Sequence, residues 1–404
     1  MTAPRLDDYA AIVGSERIAV LRRLAHRIEG LRVAIVNSTR VGGGVAEMLA
    51  RHVPLLSELG ISARWEVLEG TPEFFEATKT IHNALQGSTR ELTARMREAY
   101  VETNRRNAER LDLDADVVVV HDPQPAALVD FAPKTCPWIW RCHIDASRPQ
   151  RAAWRFLAQH VERYDASVFS MASFAKNLAH PQYLIAPSID PLAPKNRDMS
   201  DEEADRILAR FGLDRSRPLV VQVSRFDRFK DPVGVIRAFR MARRRDDCRL
   251  ALVGGTADDD PEGAQILREV HDAAEGDPDI SVLGIPPDSD LEINAFQRAA
   301  TVIVQKSTKE GFGLTVTEGL WKGRPVIGGA VGGITTQVFN HQTGFLVHSP
   351  EGLAYRLRFL LNRPALAEEM GARGRELVRH HFLLTRHLRD WLTLFLAVTG
   401  RGAP

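Results

Sequence analysis

Two glutamates on either side of a Gly-x-Gly turn are the most specific chemical feature of the sequence. Seven residues separate Glu310 from Glu318, and a predicted strand at residues 301–305 leads into the turn. This spacing puts Glu310 on the loop and Glu318 about one turn into the following helix. A carboxylate there can accept hydrogen bonds from two sugar hydroxyls, while the helix N-terminus offers its backbone N–H groups to a phosphate. The backbone groups concerned are those near Gly313, Leu314 and Thr315.

Two cations follow an earlier predicted strand, residues 218–223. Arg225 and Lys230 share the loop before a helix whose first turn contains Pro232. A guanidinium and an ammonium in one loop can neutralise two phosphoryl groups from different sides, so the loop indicates a diphosphate site. A solvated basic loop is the alternative interpretation, and it suits Arg228 better.

Three consecutive glycines, Gly42, Gly43 and Gly44, follow the first predicted strand and precede an amphipathic helix. Glycines let the backbone approach a ligand closely, and the helix start can bind an anion. The spacing matches neither Gly-x-Gly-x-x-Gly nor a Walker loop, which argues against a dinucleotide or Mg-ATP in this place. A tight turn before a helix explains the glycines equally well.

The motifs of the second half resemble the retaining glycosyltransferases of family four, which have the GT-B fold. Besides the two loops above, the resemblance includes Val253-Gly254-Gly255 and Leu283-Gly284-Ile285, and it spans nearly the whole second half. It implies a nucleoside-diphosphate sugar as donor, with the diphosphate on Arg225 and Lys230, the sugar hydroxyls on Glu310 and the ribose on Glu318. The further donor contacts that we expect are Gly43, Gly44, Ile285, Gly313, Leu314 and Thr315.

Segments of the first half resemble one branch of that family, the trehalose glycosyltransferring synthases. These segments are residues 36–39, 42–47, 74–79, 82–87, 120–128 and 140–145. The resemblance implies reversible conversion of NDP-glucose plus glucose into α,α-trehalose plus NDP. The nucleoside diphosphate is a substrate, and no cofactor or metal is expected. The resemblance implies that backbone groups bind the base, so the sequence indicates no preference among UDP, ADP and GDP.

The acceptor side is expected to contain several polar residues of the first half. By its place in the family, His143 orients the sugar and contacts the transition state, and we count it as catalytic with Arg225, Lys230 and Glu310. His121 ends a predicted strand and could line the acceptor site with Asp122, and Asp145 lies nearby in sequence. A helical stretch could add Lys79, His82 and Asn83. Packed histidines and a solvated helix face are the alternatives.

Retention of configuration follows from the expected substrates, because trehalose is α,α-linked and the usual donors are α-glucosyl diphosphates. A double displacement needs a carboxylate beneath the anomeric carbon. The resemblance puts Glu310 on the donor hydroxyls instead, which favours substitution on the front face.

Three other functions stay open. A retaining trehalose phosphorylase of the same fold would leave Glu318 without a ribose. An α-glucosyltransferase with a sugar-phosphate acceptor would need basic residues near His143, and Arg141 and Arg148 are candidates. A non-catalytic nucleotide-sugar-binding subunit would not need Arg225, Lys230, Glu310 and Glu318 together.

Short apolar runs alternate with helical periodicity twice along the chain, a pattern typical of parallel α/β sheets. We predict two doubly wound, Rossmann-like domains facing across a cleft: residues 1–188 for the acceptor and 189–384 for the donor. Three prolines in residues 186–194 mark the linker. The helical segment at 385–404 either stays with the second domain or packs back on the first. The predicted strands are 32–37, 63–68, 116–121, 138–142, 166–170, 183–186, 218–223, 249–253, 280–283, 301–305 and 325–328.

Composition excludes several other classes of protein. The 404 residues include 53 Lys+Arg and 52 Asp+Glu, a net charge of +1 that argues against binding nucleic acid by bulk charge. The three cysteines have no Cys-x-x-Cys spacing and indicate free thiols in a reducing compartment. The N-terminus resembles no signal peptide and no apolar run is long enough to cross a membrane. We therefore expect a soluble cytoplasmic enzyme, with a homodimer as the default assembly.

Overall fold

The computed structural model describes residues 4–40, 43–244, 246–255 and 261–401. The chain divides into two compact units: unit 1 is Met1–Ser188 with Leu384–Pro404, and unit 2 is Ile189–Leu383. Each is described by itself below. Val41 and Gly42 of the predicted glycine-rich turn lie outside the described residues.

Unit 1 is built on a six-stranded parallel sheet with the order β2-β1-β3-β4-β5-β6. Its strands are β1 (Arg32–Asn37), β2 (Ser62–Val67), β3 (Val117–His121), β4 (Trp138–Cys142), β5 (Ala166–Phe169) and β6 (Gln182–Leu184). The direction of winding reverses between β1 and β3, and ligands bind at such a switch point in open α/β sheets.

Unit 2 has a second six-stranded parallel sheet with the order β12-β11-β10-β7-β8-β9. Its strands are β7 (Leu219–Val223), β8 (Arg249–Gly254), β9 (Ile280–Gly284), β10 (Val302–Gln305), β11 (Val326–Gly329) and β12 (Gly344–Val347). The switch point lies between β7 and β10. Both sheets confirm the predicted α/β class with doubly wound, Rossmann-like domains.

Helices connect the strands in both units. Those of unit 1 are α1 (Ala10–Val13), α2 (Ser15–His26), α3 (Gly43–Glu58), α4 (Pro72–Leu85), α5 (Ala94–Arg110), α6 (Arg151–Val161) and α14 (Leu384–Val398). Those of unit 2 are α7 (Asp201–Ala209), α8 (Pro232–Arg243), α9 (Pro261–Ala274), α10 (Asp290–Ala299), α11 (Leu314–Trp321), α12 (Pro350–Leu361) and α13 (Pro364–His381). Within the described ranges, we find no helix of the length and apolar character that a membrane span requires.

The central strands are continuous apolar runs because helices cover both faces of a parallel sheet. Every residue of β3, β4 and β7 is buried. In unit 1 the aromatic side chains of Phe74, Tyr100, Trp138 and Trp140 fill the core beside the valines of β3. This packing fixes the carboxyl ends of the strands, where the candidate site residues lie.

The last helix, α14, returns to unit 1 and packs against α2 and α3. The Arg386 guanidinium donates hydrogen bonds to the carbonyls of Ala186 and Pro187, at 2.8 and 3.0 Å. The C-terminal helix therefore belongs to the same compact unit as the N-terminal residues.

Strand β12 is absent from the sequence-based assignment. It has only four residues and begins with a glycine, features that give a weak strand signal. Gly344 is required there, since a Cβ atom would lie 1.8 Å from the Val326 carbonyl oxygen of the neighbouring strand.

Candidate active site

Two loops meet at the switch point of unit 2. The β7–α8 loop (residues 224–231) and the β10–α11 loop (residues 306–313) follow strands that pair directly. The Thr308 N–H donates to the Phe229 carbonyl at 2.8 Å, which joins the loops through their backbones. The two strongest sequence motifs therefore lie side by side.

An ion pair joins the two loops. Lys230 Nζ lies 2.6 Å from Glu310 Oε2, and the side chains are 20% and 10% exposed. Ser307 Oγ donates to the same carboxylate oxygen at 3.0 Å, and Gln305 Nε2 donates to Ser307 Oγ at 3.1 Å. Sequence reasoning identified the lysine and the glutamate but missed Gln305 and Ser307, which hold the carboxylate in place.

A second ion pair lies beside the first. Lys306 Nζ bonds to Asp231 Oδ2, and Asp231 Oδ1 accepts from the Gly234 N–H at 3.1 Å as the N-cap of α8. Neither Lys306 nor Asp231 stood out as a functional residue in the sequence. The sequence did offer a signal for both residues, because each lies next to or within a predicted motif.

Arg225 lies near the start of the β7–α8 loop. Its side chain is 69% exposed, and its guanidinium lies 3.8 Å from the Asp227 carboxylate. An exposed arginine is free to turn towards a phosphate, but its role in donor binding stays a prediction.

The N-terminus of α11 begins at a glycine in the left-handed region. Gly313 has φ +86°, and a Cβ atom would lie 3.2 Å from Glu310 Cγ. Leu314 and Thr315 open the helix, and Thr315 Oγ1 donates to Gln305 Oε1 at 3.2 Å. Glycine therefore lets the helix start approach Glu310 closely, and phosphate binding at this helix start stays a prediction.

Glu318 and Ile285 were expected at the nucleoside. Glu318 is buried and accepts a hydrogen bond from Gln297 Nε2 at 3.0 Å. The Ile285 N–H donates to the Gly254 carbonyl at 3.0 Å. Any contact from the Ile285 backbone to a base would therefore come from its carbonyl group.

In unit 1 three of the predicted acceptor residues cluster at the carboxyl ends of β3 and β4. His121 Nδ1 and His143 Nε2 are 2.9 Å apart, with nearly parallel rings. Asp122 has φ +67°, unusual for a residue other than glycine, and its Oδ1 accepts from the His143 N–H at 2.7 Å. Asp122 thus fixes the backbone that carries His143.

The charge states in this cluster are set by burial. Burial, with the positive charge of Arg141, lowers the pKa of His121 to about 3 and that of His143 well below its usual value. Burial also raises the pKa of Asp122 to about 6. Both imidazoles are therefore neutral near pH 7, and one donates to the other.

Arg141 lies in the sheet beneath these groups and is fully buried. Its Nη2 donates to Ser170 Oγ at 3.2 Å, and burial lowers its pKa to about 10. Its guanidinium is thus enclosed by the protein.

Three further buried aromatic groups pack near the histidine pair, and sequence reasoning missed all of them. His52 is on α3, and His387 and Trp391 are on α14. Trp391 Nε1 donates to His387 Nε2 at 3.0 Å, and the Trp391 ring lies 6.3 Å from that of His121. Their wide separation in sequence left no local signal for this cluster.

The other predicted contacts of unit 1 lie on separate elements. Asp145 Oδ1 accepts two bonds from Ser147, at 2.6 and 3.0 Å, and so shapes its own turn. Lys79 is exposed on α4, where His82 and Asn83 are half-buried. Gly43 opens α3 with φ +79°, followed by Gly44. Their substrate contacts stay predictions.

No group of three or more His, Cys, Asp or Glu side chains able to hold a metal ion occurs among the described residues.

Comparison with known proteins assigns both parts of the chain. Residues 35–176 match the family model described as the N-terminal domain of trehalose synthase, and residues 203–377 match glycosyl transferases group 1. Trehalose synthase from Pyrococcus horikoshii is 44% identical over 98% of this chain and 97% of its own length. The enzyme of that name from Rubrobacter xylanophilus is likewise 44% identical, over 98% of this chain and 97% of its own length.

More distant similarities extend to other activities and to solved structures. Trehalose phosphorylase from Pleurotus pulmonarius is 26% identical over 96% of this chain but only 60% of its own length. The solved structure of a UDP-forming α,α-trehalose-phosphate synthase from Burkholderia vietnamiensis has a TM-score of 0.72 at 16% identity, covering 92% of this chain and 99% of the other. Sucrose-phosphate synthase from Thermosynechococcus elongatus has a TM-score of 0.70 at 19% identity, with the same coverage.

The structural similarities establish the GT-B fold, and the close relatives establish a glycosyltransferase of trehalose chemistry. Full-length similarity at 44% identity confirms what the motifs of both halves indicated. The chain belongs to the trehalose synthase family of GT-B glycosyltransferases.

Proposed function

We propose that this protein is a retaining glucosyltransferase that reversibly converts NDP-glucose plus glucose into α,α-trehalose plus NDP. The observation that carries the proposal is the partly buried Lys230–Glu310 pair at the switch point of unit 2. It puts a cation for the diphosphate and a carboxylate for the sugar at one place. Unit 2 would bind the donor, and unit 1 the acceptor.

The charge of the leaving diphosphate would be stabilised by groups of this chain. Lys230 and Arg225 supply two positive charges, and the N-terminus of α11 supplies backbone N–H groups at Leu314 and Thr315. Preorganised charge of this kind is usually the largest catalytic contribution. These groups offset part of the negative charge of the leaving diphosphate.

Glu310 fits a sugar-binding role better than that of a nucleophile. Its Oε2 already accepts from Lys230 and Ser307, and these bonds disperse the negative charge that a nucleophilic attack would need. We therefore infer front-face substitution. The acceptor hydroxyl oxygen bonds to the anomeric carbon as the bond to the β-phosphate breaks, and the hydroxyl proton passes to the leaving phosphate oxygen.

His143 would orient the sugar as a neutral group. Its lowered pKa keeps the imidazole uncharged near pH 7, so that it can exchange hydrogen bonds with hydroxyls without attracting the diphosphate. His121 and Asp122 hold it in place through the 2.9 and 2.7 Å contacts.

Free glucose fits the acceptor side better than a sugar phosphate. Of the two arginines near His143 in sequence, Arg141 is fully buried and bonded to Ser170. Arg148 is exposed. Of these two arginines, only Arg148 is therefore available to an acceptor phosphate.

Product analysis by NMR tests the proposal. The purified protein is incubated with trehalose and UDP, ADP or GDP, with inorganic phosphate alone as control. We expect α-NDP-glucose plus free glucose with at least one nucleotide. Glucose 1-phosphate with phosphate alone would identify a phosphorylase instead. No turnover in any arm would point to another acceptor or to a binding protein.

We also propose a reducing, cytoplasmic location. The free cysteines are Cys136, Cys142 and Cys248, and the last two are buried. Labelling of three thiols after unfolding without reductant would support this location. A homodimer, which light scattering would detect, stays a prediction.

A further inference from the structure

The two donor loops are joined by two ion pairs, and each loop supplies the lysine of one pair and the carboxylate of the other. The β7–α8 loop supplies Lys230 and then Asp231, and the β10–α11 loop supplies Lys306 and then Glu310. Each lysine bonds to the carboxylate of the other loop: Lys230 to Glu310 and Lys306 to Asp231. Only the first of these two pairs has a part in the proposed donor chemistry.

We propose that the Lys306–Asp231 ion pair is a positioning pair that keeps Lys230 at the diphosphate when the donor separates Lys230 from Glu310. The inference rests on the proposed function, because a bound donor would recruit Lys230 to phosphate and Glu310 to sugar hydroxyls. The pair between the loops would then be lost. Lys306 and Asp231 would still connect them.

The geometry of Asp231 suits this task. Both of its carboxylate oxygens are engaged, Oδ1 by the Gly234 N–H and Oδ2 by Lys306. A Cβ atom on residue 234 would lie 2.3 Å from Oδ2, so glycine leaves room for the carboxylate. The backbone of Asp231 is left-handed, with φ +48°, and this residue directly follows Lys230. Fixing Asp231 therefore fixes the backbone from which Lys230 extends.

Burial strengthens the Lys306–Asp231 ion pair. The Lys306 side chain is 7% exposed and that of Asp231 is 26% exposed. Salt screens such a pair less than an exposed one, and loss of one partner leaves the other charge without compensation. From the other side, Gln222 Nε2 donates to the Lys230 carbonyl at 2.9 Å. Lys230 is thus held from β7 on one side and from the β10–α11 loop on the other.

One substitution changes nucleotide affinity in opposite directions under two hypotheses: that the ion pair positions Lys230, or that Asp231 acts only through its charge. Asp231→Asn removes a negative charge next to the diphosphate site, so Coulomb attraction alone predicts tighter nucleotide binding. If the pair positions Lys230, the same change weakens binding. Asparagine retains N-cap ability and tolerates the left-handed backbone, so the start of α8 is preserved.

The experiment measures Kd for UDP, ADP and GDP by calorimetry. The variants are Asp231→Asn, Lys306→Gln and the double variant, and trehalose KM and kcat are measured in parallel. We expect each single change to raise the nucleotide Kd about tenfold, with little further loss in the double variant. Trehalose KM should change less than twofold in these variants, which a general loss of structure would not produce.

A matched control is available in the same unit. Lys195 Nζ and Asp290 Oδ1 form another Lys–Asp pair, 3.6 Å apart with side chains 14% and 36% exposed. Asp290→Asn should leave the nucleotide Kd unchanged. If Lys306→Gln does not fold, Asp231→Asn carries the test alone.

Two failures can be told apart. A wild-type chain that binds none of the three nucleoside diphosphates would refute the proposed function and this inference together. A wild-type chain that binds one of them, with Asp231→Asn binding it as tightly or more tightly, would overturn this inference alone.

Discussion

The donor loops of unit 2 and the histidine cluster of unit 1 both lie at the carboxyl ends of adjacent strands in similar parallel sheets, but they differ in charge. The donor loops pair full charges across two adjacent loops, as Lys230 does with Glu310. The histidine cluster buries neutral imidazoles, and the pKa of His121 is lowered to about 3. One fold therefore supports a site of paired full charges and a site whose imidazoles are uncharged.

The difference matches the proposed ligands. A diphosphate carries charge that must be neutralised, whereas free glucose offers only hydroxyl groups. A charged acceptor site would bind the diphosphate too, and the neutral histidines avoid that competition.

Loss of Lys230 should have the largest effect. Lys230→Ala removes a cation from the leaving diphosphate, and we expect kcat to fall about 10²- to 10³-fold. The melting temperature should fall as well, because Glu310 loses its charged partner. The matched control is Arg228→Ala on the same loop, whose side chain is 60% exposed. A loss under about tenfold for Lys230→Ala, or equal losses in both variants, would contradict a charged donor site.

Loss of His143 should come next. His143→Ala removes a neutral imidazole that orients the sugar, and we expect kcat to fall about 10²-fold while the nucleotide Kd stays constant. His26, which is exposed beside Glu29, provides the control variant His26→Ala. A weaker nucleotide affinity with an unchanged kcat would assign His143 to the donor instead.

The pH dependence of stability tests the neutrality of the cluster. His52 has a pKa of about 3 when folded, against 6.5 ordinarily, so the unfolded chain binds more protons between these values. Its contribution to the free energy of unfolding is thus complete above pH 6.5 and is lost as pH falls towards 3. Asp122, with its pKa raised to about 6, opposes this trend.

His52→Gln should reduce the pH dependence of the free energy of unfolding. Between about pH 6 and pH 4, we expect the free energy of unfolding to depend less on pH in the variant, by about 1 kcal/mol per pH unit. Urea denaturation at several pH values measures it. Parallel curves for the two proteins would mean that His52 is protonated in the folded state.

The C-terminal helix should have the smallest effect. Trp391→Phe keeps an aromatic ring but removes the 3.0 Å bond to His387. We expect a loss of about 0.5–1.5 kcal/mol in stability and less than about twofold in kcat. Thermal denaturation and steady-state kinetics measure the two. A large loss of kcat would give α14 a direct catalytic part.

The donor loops could be predicted from the sequence because their chemistry is local. Glu310 and Lys230 each lie in a strand–loop–helix motif, and adjacency of β7 and β10 then brings them together. What the sequence did not indicate is the reciprocal use of Lys306 and Asp231. That pairing depends on the register of two loops that are 75 residues apart.

The histidine cluster was predictable only in part. His121 and His143 follow predicted strands, but His52 and the residues of α14 join them through packing that no periodicity encodes. The apolar face of residues 385–399 indicated that this helix is buried, but it did not indicate which elements the helix packs against. Likewise, the alternation of strands and helices predicted both sheets, while the four-residue β12 was too short to be recognised.

Salt dependence of the two Michaelis constants tests the contrast between the sites most directly. With the wild-type enzyme and its preferred nucleotide, both constants are measured from about 0.05 M to about 0.5 M NaCl. We predict that KM for the nucleoside diphosphate rises severalfold while KM for trehalose stays constant within about twofold. Equal changes in both constants, or a salt-independent KM for the nucleotide, would contradict a charged donor site in unit 2 and an acceptor site of uncharged imidazoles in unit 1.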